Sequence, residues 1–148
     1  MTHQEARLES RELEGDPQIK RKVRQLQRQM ATQRMMQDVP EADVIITNPV
    51  RFAVALRYDM TGMQTPIVVA KGARKMAEKI RDIAAEHDVP IVQKPELARA
   101  LYRSIDVGQG IPEHLFRAVA EVLSFVYSID RRQEKIQERQ AAWKATGS

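Results

Sequence analysis

The sequence predicts an α/β domain: a small four-stranded mixed sheet surrounded by about four helices, preceded by a long basic linker helix. Three observations predict it. Short β-branched runs are separated by helix-length segments with apolar residues at three- and four-residue spacing. Prolines stand where elements should start or stop. Between Pro17 and Asp38 six basic residues face one acidic residue, Asp38.

The elements follow in order. Residues 1–15 are polar, without sustained periodicity, and read as a flexible lead-in. Asp16-Pro17 has the form of an N-cap followed by a proline at the first helical position. From there Ile19, Val23, Leu26 and Met30 form one narrow apolar stripe, until Pro40 ends the helix. That stripe suits a helix docked on a surface or one standing partly free. Val44-Ile45-Ile46, the alternating Phe52, Val54 and Leu56, and Ile67-Val68-Val69 are strand candidates. A helix follows, with Ala73, Met76, Ala77, Ile80, Ile83 and Ala84 inward. Val89-Pro90-Ile91-Val92 is a fourth short strand. Pro95 opens a helix carrying Leu97, Leu101 and Ile105, and Gly108-Gln109-Gly110 breaks it. Pro112 starts a last core helix with Leu115, Phe116, Val119, Leu123 and Val126 as its buried face. Strands alternating with helices imply helices layered on a sheet. The organisation is a linker region over 1–39, a globular domain over 40–130 and a polar tail over 131–148, whose lone Trp143 marks no site.

Composition narrows the function. The 148 residues include no cysteine, which excludes disulfides and thiolate metal sites. His3, His87 and His114 lie too far apart for metal-ligand spacing, so no metal and no cofactor is expected. No run reaches the roughly 18 apolar residues of a membrane span. Met1-Thr2-His3-Gln4-Glu5 lacks the pattern of a secretory signal. The net charge of +4 is modest. Its concentration at Lys20, Arg21, Lys22, Arg24, Arg28 and Arg34 fits an anionic lipid, an acidic partner, nucleic acid or simply a solvated face. His87 reads as a packed or capping residue at a helix end, and His114 as exposed.

From Asp16 to Asp130 the chain resembles the cytoplasmic domain of the FlhB/YscU family. The resemblance rests on Gly15-Asp16-Pro17-Gln18-Ile19-Lys20, Arg34-Met35-Met36 and Val39-Pro40. It continues through Ala42-Asp43-Val44-Ile45-Ile46-Thr47-Asn48-Pro49, Ala53-Val54-Ala55-Leu56-Arg57-Tyr58-Asp59 and Val69-Ala70-Lys71-Gly72. Leu97-Ala98-Arg99-Ala100-Leu101-Tyr102 and Ala118-Val119-Ala120-Glu121-Val122-Leu123 complete it. The resemblance implies a switch or docking domain of flagellar or related type III protein export, on the cytoplasmic face of the bacterial inner membrane. Implied partners are other export-apparatus proteins and export substrates. Family members carry an N-terminal membrane domain before this region, and the basic helix would then adjoin anionic lipid; no nucleic acid is expected.

The family's hallmark is self-cleavage between Asn and Pro of an N-P-T-H loop, here Asn48 and Pro49. Proline has no backbone N–H, which closes the usual deamidation route. The Asn48 side-chain nitrogen can instead attack its own backbone carbonyl and expel the Pro49 nitrogen. Such a break is at most a single turnover. The sequence departs from the motif where it reads Val50 for Thr and Arg51 for His. Val50 has no hydroxyl, and Arg51 stays protonated and cannot serve as a base. Slow or absent cleavage is therefore expected. The resemblance also places a shallow substrate-docking patch at Thr65, Pro66, Ala120 and Leu123.

Overall fold

The computed structural model describes residues 15–59 and 62–129, so the lead-in to residue 14 and the tail from residue 130, with Trp143, lie outside it. The chain divides into two units, one ending at Gln37 and the other starting at Asp38.

The first unit is built on α1 (Pro17–Asp38). Asp16 caps it as its sequence suggests: the Gln18 N–H donates to Asp16 Oδ1 at 2.9 Å, satisfying one of the orphan donors of the first turn. No residue of α1 is buried. Its apolar stripe is open, from 36% exposure at Ile19 to 69% at Met30. No helix among the described residues is long and apolar enough to cross a membrane.

The second unit opens with a short 3₁₀ turn (Val39–Glu41) that buries Val39 completely. Then come β1 (Val44–Asn48), β2 (Phe52–Arg57) and β3 (Ile67–Ala73). After α2 (Lys75–Glu86) follow β4 (Ile91–Gln93) and α3 (Pro95–Ser104). A 3₁₀ turn (Glu113–Leu115) leads into α4, helical over residues 116–129. The four-stranded sheet has the order β3-β2-β1-β4. β1 runs antiparallel to β2 and parallel to β4, and β2 runs antiparallel to β3. The predicted small mixed sheet and its surrounding helices are thus present.

All five residues of β1 are buried, because helices cover both faces of the sheet. Alternation sends Val44 and Ile46 into one cluster with Val54, Leu56 and Val68, packed by Leu101 of α3 and Val119, Leu123 and Val126 of α4. Ile45, Ala53, Ala55 and Ala70 point to the other face, where α2 lays down Ala77, Ile80 and Ala84. Small residues dominate that face, so α2 lies close to the sheet. At Gly72 a Cβ would stand 2.5 Å from Met76 Cγ.

Local readings change at Phe116 and at the end of α3. Phe116 is 44% exposed rather than core, because α4 begins at that residue, after the 3₁₀ turn, and its ring lines a surface cavity. Helix α3 stops at Ser104, before the glycines, because Ile105 takes extended backbone and sends its side chain into the core. Gly108-Gln109-Gly110 then runs along β3: Gly108 N–H donates to Val68 O at 2.7 Å and Val68 N–H to Gln109 O at 3.1 Å. This covers part of that sheet edge. His87 is the C-cap of α2, the capping alternative of its reading, and is exposed; its Nδ1 lies 2.9 Å from the Ile83 carbonyl oxygen. His114 is exposed, as expected.

Candidate functional site

The Asn48-Pro49 bond lies in the tight connection between β1 and β2. Asn48 is the last residue of β1 and pairs with Phe52, the first of β2. The Arg51 N–H donates to the Asn48 carbonyl oxygen at 3.0 Å and closes a four-residue turn. Pro49 locks a negative φ at the first central position, whereas Val50 at the second has φ 68°. That combination is a type II turn, which normally takes Gly or Asn where Val50 stands. A β-branched side chain in left-handed backbone is strained.

Backbone bonds hold the turn from both sides. Arg74, the residue that opens α2, donates its N–H to the Arg51 carbonyl at 3.1 Å. Lys94, just after β4, donates its N–H to the Thr47 carbonyl at 3.0 Å. Asn48 is 9% exposed while Pro49, Val50 and Arg51 face solvent. Among the described residues no hydrogen bond holds the Asn48 side-chain amide. The Asn48 amide is therefore unengaged, and the Asn48 backbone carbonyl oxygen already carries the Arg51 N–H as a donor.

The bracing by Arg74 and Lys94 and the left-handed Val50 were not legible in the sequence. Asn-Pro signals a turn, but neither its type nor the elements that reach it across the sheet.

Thr65, Pro66, Ala120 and Leu123 come together, from the approach to β3 and from α4, on one cavity of about 350 Å³. Leu123, 5% exposed, belongs to the core beneath it, while Ala120 is exposed. The Thr65 hydroxyl donates to the Ile111 carbonyl at 3.3 Å. Its polar group is thus turned toward the backbone, and Phe116 and Tyr127 extend the cavity as aromatic walls the sequence did not suggest. Lys20, Arg21, Lys22, Arg24 and Arg28 belong to the first unit and are exposed on α1. Among the described residues no group of three or more His, Cys, Asp or Glu side chains is placed to hold a metal ion.

The FlhB HrpN YscU SpaS family model matches residues 1–126. The flagellar biosynthetic protein FlhB of Salmonella typhimurium is 55% identical over 131 residues, covering 88% of this chain and 34% of the relative. That of Bacillus subtilis is 50% identical over 132 residues, covering 89% of this chain and 37% of the relative. The chain thus spans about a third of the length of these relatives. The crystal structure of the cytoplasmic domain of FlhB from Shewanella putrefaciens superposes with a TM-score of 0.67 at 45% identity, over 70% of this chain and 80% of that one. A mutated EscU C-terminal domain superposes with a TM-score of 0.60 at 29% identity, over 62% and 98% respectively. The family match over residues 1–126, the identity to these relatives and the superposition together place this chain in the FlhB HrpN YscU SpaS family, with the fold of its cytoplasmic domain.

Proposed function

We propose that this domain controls which substrates a flagellar type III export apparatus accepts, acting as its switch and docking domain with the Asn48-Pro49 turn as the switch element. It would work at the cytoplasmic face of the bacterial inner membrane, with export-apparatus proteins and export substrates as partners. The observation that carries the reading is the Arg51 N–H bound to the Asn48 carbonyl within a strained, braced turn.

The chemistry balances within the chain. The Asn48 side-chain nitrogen bonds to the Asn48 backbone carbon, and the C–N bond to Pro49 breaks. A proton passes from the amide to the Pro49 nitrogen, leaving a C-terminal succinimide and a new N-terminal proline. Holding the reacting atoms at one turn supplies proximity, and left-handed Val50 supplies strain. The loop lacks a hydroxyl at Val50 and a base at Arg51, and a positioned acid/base group typically contributes about 10²- to 10⁴-fold. Cleavage is therefore slow. The pairs joining β1 to β2 run along the whole of β1, so both fragments stay in one sheet after a break. The domain turns over no substrate of its own.

The cavity at Thr65, Pro66, Ala120 and Leu123 is the docking patch in this reading. The α1 cations are the lipid-proximal contact, and nucleic acid plays no part.

A second reading, a docking module that never cleaves, is favoured by the same Val50 and Arg51. Intact mass of freshly denatured protein, followed over days, separates the two. Two fragments summing to the chain plus at most one water, the second beginning at Pro49, support the switch. A persistent single mass rejects it and leaves the docking module. The double substitution Val50→Thr with Arg51→His should raise the cleavage rate by about 10²-fold or more, and Asn48→Ala should abolish it.

A further inference from the structure

The end of the sheet that carries the Asn48-Pro49 turn also gathers four cations from separate parts of the chain. Arg51 lies in the turn. Arg74 is tied to it by the backbone bond at 3.1 Å and stands directly across from it, one step beyond the Phe52↔Ala73 pair. Lys75 follows at the first position of α2. Lys94 stands across from Asn48, one step beyond the Thr47↔Gln93 pair. All four are exposed. Among the described residues none has an ion-pair partner; the bridge formed nearby joins Lys71 to Asp106 at 3.9 Å. Glu78 and Glu96 stand a few residues into α2 and α3 and pair with none of the four.

Like charges gathered at one place without counter-charges repel one another. Arg51 and Arg74 lie just past the last β2–β3 pair and share a backbone bond, and each follows or occupies left-handed backbone, with φ 68° at Val50 and 53° at Arg74. An anionic partner would relieve this repulsion.

A second feature adjoins the cluster through Lys94. That residue also lines a groove of about 990 Å³ between β4, α3 and α4, walled by Val92, Leu97, Ala100, Val122 and Phe125. Phe125 is 56% exposed at its rim. β4 is the last strand of the order β3-β2-β1-β4, so its outer edge is open among the described residues. An open edge beside an apolar groove fits an extended peptide, whose main chain adds to the edge and whose side chains enter the groove. Glu96 and Glu121 also line the groove. They repel acidic side chains there and direct an acidic run toward Arg51 and Arg74.

We infer that this face binds an extended protein segment with apolar side chains in the α3–α4 groove, followed by an acidic run over Lys94, Arg51, Arg74 and Lys75. This goes beyond the switch reading and holds whether or not the Asn48-Pro49 bond breaks. An apolar groove has no counterpart in a nucleic-acid backbone, which is why a peptide is the occupant.

The test is fluorescence anisotropy on the full chain. The probe is a fluorescein-labelled synthetic peptide with a short leucine run followed by a glutamate run. Controls are the glutamate run alone and a labelled oligothymidylate. The paired substitution Lys75→Glu and Lys94→Glu leaves the turn intact and should weaken peptide binding about tenfold, with a clear salt dependence. Phe125→Ser trims an exposed ring and should weaken it about fivefold. Circular dichroism confirms that both variants fold. The inference is overturned by no saturable peptide binding, by equal affinity for the glutamate run alone, by tighter binding of oligothymidylate, or by affinity unchanged in the charge-reversed protein.

Discussion

Replacing Val50 by glycine should stabilise the domain, although it removes a side chain and adds freedom to the unfolded state. Val50 has φ 68° and is 72% exposed. Left-handed backbone costs an L-residue about 1–2 kcal/mol, and a β-branched residue stands at the upper end. Glycine removes nearly all of that. Against it stand about 0.5–1 kcal/mol of extra unfolded-state entropy and about 0.5 kcal/mol for the minor buried part of the side chain. The balance is a gain of about 0.5–1 kcal/mol. For a domain of this size that raises Tm by a few degrees, at about 4–8 °C per kcal/mol. Urea unfolding of uncut protein, verified by mass, should show a higher midpoint with an unchanged slope. Val50→Ala keeps the Cβ in left-handed backbone, so it should gain little or nothing. A glycine variant less stable than wild type, or indistinguishable from the alanine variant, would refute strain at this turn. If strain drives bond breaking, the glycine variant should also cleave several-fold more slowly, since about 1 kcal/mol corresponds to roughly fivefold in rate.

Other outcomes follow from the same structure. Gly72→Ala places a Cβ 2.8 Å from Met76 Cβ and 3.0 Å from the Met76 backbone carbon, neither of which a rotamer change can move away. It should destabilise by about 1–3 kcal/mol by forcing α2 off the sheet, read as a fall in the urea midpoint. Leu101→Ala opens a cavity at a fully buried position of the α3–α4 face and should cost about 2–5 kcal/mol by the same assay. Asp16→Ala removes the side-chain cap of α1 at Gln18 and should lower helicity by circular dichroism, by about 0.5–2 kcal/mol of helix stability. Because α1 forms a separate unit, that substitution should leave the unfolding midpoint of the second unit unchanged.

Local sequence was enough to set the kinds of element and their order. β-Branched runs such as Val44-Ile45-Ile46, periodic apolar positions such as Ala77, Ile80 and Ala84, and the punctuation at Asp16-Pro17, Pro40 and Pro95 act over a few residues. Local steric and capping forces suffice to set them. The Asn48-Pro49 turn, which carries the proposed chemistry, was legible for the same reason, as two adjacent residues of strong turn preference. Tertiary structure alone decided what met across the sheet. The parallel pairing of β4 with β1 brings Lys94 to Thr47, and the β2–β3 register brings Arg74 to Arg51. These partners are separated in sequence by tens of residues, and nothing local specifies them. It also decided that Phe116 opens onto a cavity while Val122 is buried, because the 3₁₀ turn before α4 sets where the helix begins and which side meets the core. Helical period states which residues share a face; only packing against a sheet of defined order states which way that face points.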